Sequence, residues 1–149
     1  MKAVLQRVSS ARVTVGHREV GAIGGGILTL VGVEPGDGAE DVEYIARKVR
    51  ELRIFDDDGG RMNLSLAEVG GGVLAVSQFT LLADCRKGRR PSFDAAAGTA
   101  EARAVYDALV DQLRRDGVTV ATGVFQARMQ VSLVNDGPVT LLLDSRRRE

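Results

Sequence analysis

Asn135-Asp136-Gly137-Pro138-Val139-Thr140 lies between two apolar runs, Met129–Val134 and Val139–Leu143. Asp-Gly between such runs is the strongest short-range signal for a two-residue β-hairpin. Here the signal contradicts itself. With Asp136-Gly137 as the loop, residue 138 should donate the closing backbone hydrogen bond, and Pro138 has no N–H. The turn is therefore of another kind. Gly137 gives access to positive φ, and Gly137-Pro138 is a candidate cis bond, a state adopted by about 5–6% of X–Pro bonds in folded proteins. The segment reads as a stiff loop presenting bare main-chain atoms, suited to recognition by shape.

A second segment, Ser77-Gln78-Phe79-Thr80-Leu81, also sits where an apolar run ends, at the close of the strand-like Val73–Gln78. On propensity alone its plainer reading is a strand end, with Thr80 finishing the strand, Phe79 in the core and Ser77 paired to backbone. Outward from these segments, Val4–Val8, Ala11–Val15, Glu19–Ile23, Ile27–Val33, Val118–Thr122, Arg128–Val134 and Val139–Leu143 read as strands. Val42, Ile45, Ala46, Val49 and Leu52 share one helical face over 39–53, with Asp37 as the expected N-cap and Glu40 completing a capping box. A second helix begins at an expected Thr99 cap, buries Ala102, Val105, Tyr106, Leu109 and Leu113, and stops at Gly117. Strands outnumber helices and come in runs, which predicts an α+β fold in a single domain over 1–149 rather than a Rossmann-type one.

Composition sets the outer limits. A chain of 149 residues buries roughly 68–70% of its unfolded surface, enough for a core without staples. Twenty basic and twenty acidic side chains cancel, so polyanion binding has to come from local clusters rather than a net field. The single Cys85 excludes an intrachain disulfide and fits a reducing compartment. No stretch approaches the ~20 apolar residues of a membrane span, and the N-terminus lacks a signal region, so a cytoplasmic setting is expected.

Several familiar chemistries fail. Gly21, Gly24, Gly25 and Gly26 match neither G-x-G-x-x-G nor a P-loop and read as turns. The acidic run Asp56-Asp57-Asp58 lacks the spaced acids of a calcium loop. His17 is the only histidine and sits in an expected surface turn with no nucleophile elbow beside it. Neither a metal-ligand cluster nor a cofactor motif is visible. The stretch Arg86-Lys87-Gly88-Arg89-Arg90 reads either as a phosphate-holding loop or as a solvated one. Arg146-Arg147-Arg148 reads as a flexible solvated tail.

Taken together, Leu5–Val8, Arg53–Phe55, Met62–Leu64, Val76–Leu81, Arg90–Phe93 and above all Met129–Thr140 resemble the D-aminoacyl-tRNA deacylases of bacteria and eukaryotes. The resemblance covers nearly the whole chain. It implies mixed and antiparallel sheets packed with two main helices in β/β/α layers, and a homodimer with a site at each subunit interface. It implies that Gly137-Pro138 is cis and that its main chain enters the partner's pocket. There it would face the α-carbon of an amino acid esterified to the tRNA 3′ end, accepting D-residues and glycine and rejecting L-residues by a clash. Carried over, Ser77, Gln78, Phe79 and Thr80 line the pocket under the ester, Phe125 and Met129 neighbour the terminal adenosine, and Arg7 orients the Gly-Pro loop. Backbone N–H groups near Phe79 and Thr80 are candidates for an oxyanion site. No base is evident to activate Thr80, so the ribose 2′-hydroxyl is the expected assistant in hydrolysis. Two other classes stay open at this level: an RNA-end-binding dimer without chemistry, and a threonine or histidine hydrolase of small esters.

Overall fold

The computed structural model describes residues 1–146, and the expectation for Arg147 and Arg148 falls outside them. The N-terminal forty residues decide the architecture. Strand β1 (Lys2–Val15) runs unbroken where two strands were expected. Its first half pairs antiparallel with β3 (Gly26–Gly32), its second half with β2 (Arg18–Ile23), and its other edge with β8 (Gln130–Asp144). Ser9 and Ser10, exposed where β1 passes from one neighbour to the other, break the alternation that would have read as a single strand.

Parallel pairing builds the rest of the sheet. β3 pairs with β6 (Gly72–Ser77), and β6 with β7 (Val120–Thr122), giving the order β2-β1-β3-β6-β7 with β8 on β1. Parallel neighbours need long crossovers. The first contains α1 (Ala39–Glu51), a small hairpin of β4 (Phe55–Asp56) and β5 (Met62–Leu64), and the one-turn α2 (Leu66–Val69). The second contains α3 (Thr99–Arg115). The short α2 was not anticipated, although Ser65 and Glu68 cap it reciprocally.

Alternate strand residues feed two apolar clusters. Leu5, Ile27, Val73 and Ala75 face α1 and α3 and pack with Ile45, Val49, Leu109 and Leu113. Val8, Val13, Leu28, Leu74 and Val76 face the other way, where Val131 and Leu133 of β8 cover them. Around this second cluster the sheet curls until β2 approaches β7. A Cβ on Gly21 would lie 2.3 Å from the Thr122 carbonyl oxygen, so only glycine fits there. The mixed sheet and two main helices agree with the α+β expectation.

Two expected helix starts move by a residue. Gly38, not Asp37, precedes α1, and Asp41 accepts from the Gly38 N–H at 2.9 Å. Asp37 instead turns inward to the Met1 ammonium at 2.8 Å. Thr99 is the first residue of α3 and Gly98 its cap. Arg146 is no solvated tail: it pairs with Asp37 at 3.1 Å and bonds the Pro35 carbonyl. No helix among the described residues is long and apolar enough to cross a membrane.

Candidate active site

The Asn135–Thr140 segment makes no chain reversal. β8 stays antiparallel to β1 on both sides of it, with Asn135 opposite Val8 and Thr140 opposite Gln6. Five steps along β8 therefore match two along β1, and the surplus bulges outward. In keeping with the missing Pro138 N–H, no two-residue hairpin closes here, and Asn135 bridges the bulge instead. Its Oδ1 accepts from the Val139 N–H at 3.1 Å, and its Nδ2 donates to Thr140 Oγ1 at 3.2 Å. Asp136, Gly137 and Pro138 are exposed. Gly137-Pro138 is cis, with Gly137 at φ +130.

Arg7 holds this bulge from behind. It is buried, and its Nε donates to the Asp136 carbonyl at 3.0 Å. Its Nη1 donates to the Ile54 carbonyl at 2.7 Å and approaches Asp56 at 3.4 Å. One planar fork thus joins the bulge to the β4 hairpin, a task suited to a rigid guanidinium.

The second motif forms one wall of a cavity of about 510 Å³. β6 ends at Ser77, the Gln78 N–H returns to the Val31 carbonyl at 2.7 Å, and Phe79–Leu82 forms a 3₁₀ turn. Phe79 is not a core residue. It is 56% exposed and meets Phe93 edge-on with centroids 5.1 Å apart. The turn's own bonding begins at the Leu81 N–H, which donates to the Gln78 carbonyl, so the Phe79 and Thr80 N–H groups precede its first bond. Facing them are Ala97, Thr99 and Ala102 at the start of α3, and Phe125, Gln126 and Met129 from the loop after β7. The loop is anchored on α3, with Phe125 6.2 Å from the Tyr106 ring and under the Arg103 guanidinium.

Ser77, Gln78 and Phe79 of the second motif converge on this cavity with Phe125 and Met129, which the family resemblance implied. Thr80 stands beside it, its hydroxyl bonded to Gln78 Nε2. Arg7, Gly137 and Pro138 belong to the bulge and do not line this subunit's cavity. In the basic loop, Arg86 is gripped by Asp84 through Nε and Nη2, and that guanidinium holds the Asp84 carboxyl down at about 2. Lys87, Arg89 and Arg90 stay exposed. Phe93, Thr99 and Gln126 were missed as site residues. Gln126 carried no turn signal, yet it is the non-glycine residue with positive φ among those described.

Residues 4–144 match the family model described as D-Tyr-tRNA(Tyr) deacylase. A curated relative from Geobacter sulfurreducens, named D-aminoacyl-tRNA deacylase, is 60% identical over 99% of this chain and 97% of its own. Among solved structures, "c-Myc DNA Unwinding Element Binding Protein" superposes with a TM-score of 0.91 at 40% identity, covering 97% of this chain and 98% of that one. A second, described as "Structural Analysis of a probable eukaryotic D-amino acid tRNA deacylase", has a TM-score of 0.79 at 18% identity over 95% and 97%, a likeness of fold.

Proposed function

We propose, from the premise that this chain belongs to the D-Tyr-tRNA(Tyr) deacylase family and is a hydrolase of the D-aminoacyl-tRNA deacylase type, that it selects its substrate with a main-chain wedge lent by a second copy of itself. The observation that carries this reading is the Asp136–Val139 bulge. It is held by hydrogen bonds from Arg7 and to Asn135, yet none of its residues lines the cavity of its own subunit. In a homodimer, Gly137 and Pro138 would enter the partner's cavity and face the α-carbon of the bound aminoacyl group. A D-side chain would point outward and be barely read. An L-side chain would meet backbone, and glycine, having none, would be accepted. The exposed Val134 and Leu142 on β8 support such an association surface.

For the chemistry, a water molecule adds to the ester carbonyl carbon, the carbonyl oxygen takes the negative charge, and the ribose 3′-oxygen leaves with the proton. The Phe79 and Thr80 N–H groups, which precede the first bond of the 3₁₀ turn, would receive that charge. Thr80 sits next to Gln78 and positions water or substrate, while the vicinal 2′-hydroxyl of the tRNA assists the attack. Phe125 and Met129 give the terminal adenosine an apolar wall. Lys87, Arg89 and Arg90 are free to meet backbone phosphates, whereas Arg86 is tied to Asp84. A cytoplasmic setting follows from a charged tRNA as substrate.

Incubation with D-aminoacyl-tRNA, L-aminoacyl-tRNA, glycyl-tRNA and a free D-amino-acid ester tests the reading. Cleavage of the first and third alone is expected. Binding without cleavage, or cleavage of the free ester, would replace it with an RNA-end-binding module or a general esterase. Thr80→Ala should keep turnover within about tenfold; abolished turnover with intact binding and fold would overturn the substrate-assisted step.

A further inference from the structure

Val124, Phe125, Gln126 and Ala127 form a four-residue turn closed by the Ala127 N–H on the Val124 carbonyl at 3.1 Å. Gln126, its third residue, has φ +64, while Phe125 is not in the positive-φ region. That combination is the type II geometry, whose third position is ordinarily glycine because a side chain there is strained. A residue that pays this strain is expected to return something through its side chain. Gln126 lines the cavity, and its Nε2 donates to Thr99 Oγ1, also in the lining, at 3.2 Å, linking two segments 27 residues apart.

We propose that Gln126 is a positioning residue for the deacylation reaction, acting through a Gln126–Thr99 latch that sets the width of the cavity mouth where the terminal nucleoside of the charged tRNA enters. The proposal rests on the reading that this cavity receives the tRNA 3′ end. The two walls it joins have different origins: Thr99 opens α3, and Gln126 sits on the loop that carries Phe125 and Met129. Phe125 is fixed on its far side by Tyr106 and Arg103. The side of the loop facing the cavity is tied to α3 by the latch. With the latch closed, the Phe125–Met129 wall is preset for a flat nucleoside. Without it, the wall has to be ordered on binding, which weakens affinity and leaves the hydrolytic groups around Ser77–Thr80 in place.

Steady-state kinetics on D-aminoacyl-tRNA and thermal melts separate this role from a purely structural one. Gln126→Gly relieves the φ strain and removes the donor, so the melting temperature should hold or rise while KM increases roughly three- to tenfold, the span of one neutral hydrogen bond. kcat should stay within about twofold. Thr99→Val, which replaces the accepting hydroxyl with a methyl, should raise KM similarly, and Thr99→Ser should restore it. The Gln126→Gly, Thr99→Val double variant should be no worse than either single one. Unchanged KM in Gln126→Gly, or a lowered melting temperature with unchanged KM, would overturn the latch. If the wild-type protein does not cleave D-aminoacyl-tRNA, the reading of the cavity itself fails first.

Discussion

Arg7 and Asp136 are 129 residues apart in sequence, and the Arg7 guanidinium Nε donates to the Asp136 carbonyl at 3.0 Å. The bond ties the middle of β1 to the bulge of β8, and the same guanidinium reaches Ile54 and Asp56 on the β4 hairpin. Arg7→Lys keeps the charge and loses the fork. A single ammonium cannot serve the Asp136 and Ile54 carbonyls in that planar arrangement. We expect about 1–3 kcal/mol lost in urea unfolding, the cost of leaving a buried acceptor unpaired. If the bulge is the selecting element, discrimination between D- and L-aminoacyl-tRNA should narrow in the same variant. Unchanged selectivity together with the stability loss would leave Arg7 a structural residue only.

Gly137 is hemmed in by its own bulge. A Cβ there would meet Val139 Cγ2 at 2.9 Å, Val139 N at 3.0 Å and Arg7 Nη2 at 3.1 Å, at a φ of +130 that side chains rarely adopt. Gly137→Ala should therefore cost roughly 1–3 kcal/mol in backbone strain and lower kcat/KM by at least about tenfold as Arg7 is displaced. Circular dichroism melts with parallel deacylation assays check both parts. Full activity would remove the main-chain wedge from the mechanism.

The two motifs were legible because each contains a local contradiction or a recognisable run, and their partners were legible only in part. Pro138 announced that Asp136-Gly137 is no hairpin. That the strand simply continues depends on Asn135 bonding forward to Val139 and on Arg7 filling the space behind, neither of which propensity encodes. On propensity alone Phe79 read as core, yet it lies 56% exposed beside Phe93, because the Ser77 strand ends in a 3₁₀ turn. Asp37 carried the signature of a helix cap, but its partner is a chain terminus 36 residues away. Gln126 offered nothing to read, since its conformation is imposed by the turn around it.

That terminus supports a separate prediction. The Met1 ammonium is fully buried and donates to Asp37 at 2.8 Å, Ser145 Oγ at 2.9 Å and Glu34 at 3.1 Å. Ser145 passes the link to Asp41 at 2.6 Å, and Asp41 is held below its ordinary range, with its own burial opposing the Ser145 and Gly38 hydrogen bonds that lower it. Removing the cation leaves the Asp37 carboxylate buried with Arg146 as its remaining cationic partner among the described residues. Acetylating the α-amine should destabilise the fold by about 3 kcal/mol, the lower end of the range for breaking a buried pair. Equal urea midpoints for free and acetylated protein would show that Arg146 alone suffices.

Tyr106 is a buried phenol on α3, the helix whose start lines the cavity. Its hydroxyl donates to the Ala75 carbonyl at 2.8 Å beneath α3, and burial, with Asp107 nearby, pushes its phenol up to about 12. An unfolded tyrosine ionises near 10, so the folded state favours the protonated form. The resulting stability is complete below about pH 10 and is lost as the pH climbs toward 12. Tyr106→Phe removes the donor and the titrating group together. It should cost about 1 kcal/mol at neutral pH and flatten the fall in stability between pH 10 and 12, measured as urea midpoints across that window. A wild-type curve that is already flat there would mean that the phenol ionises without disturbing the contact between α3 and β6.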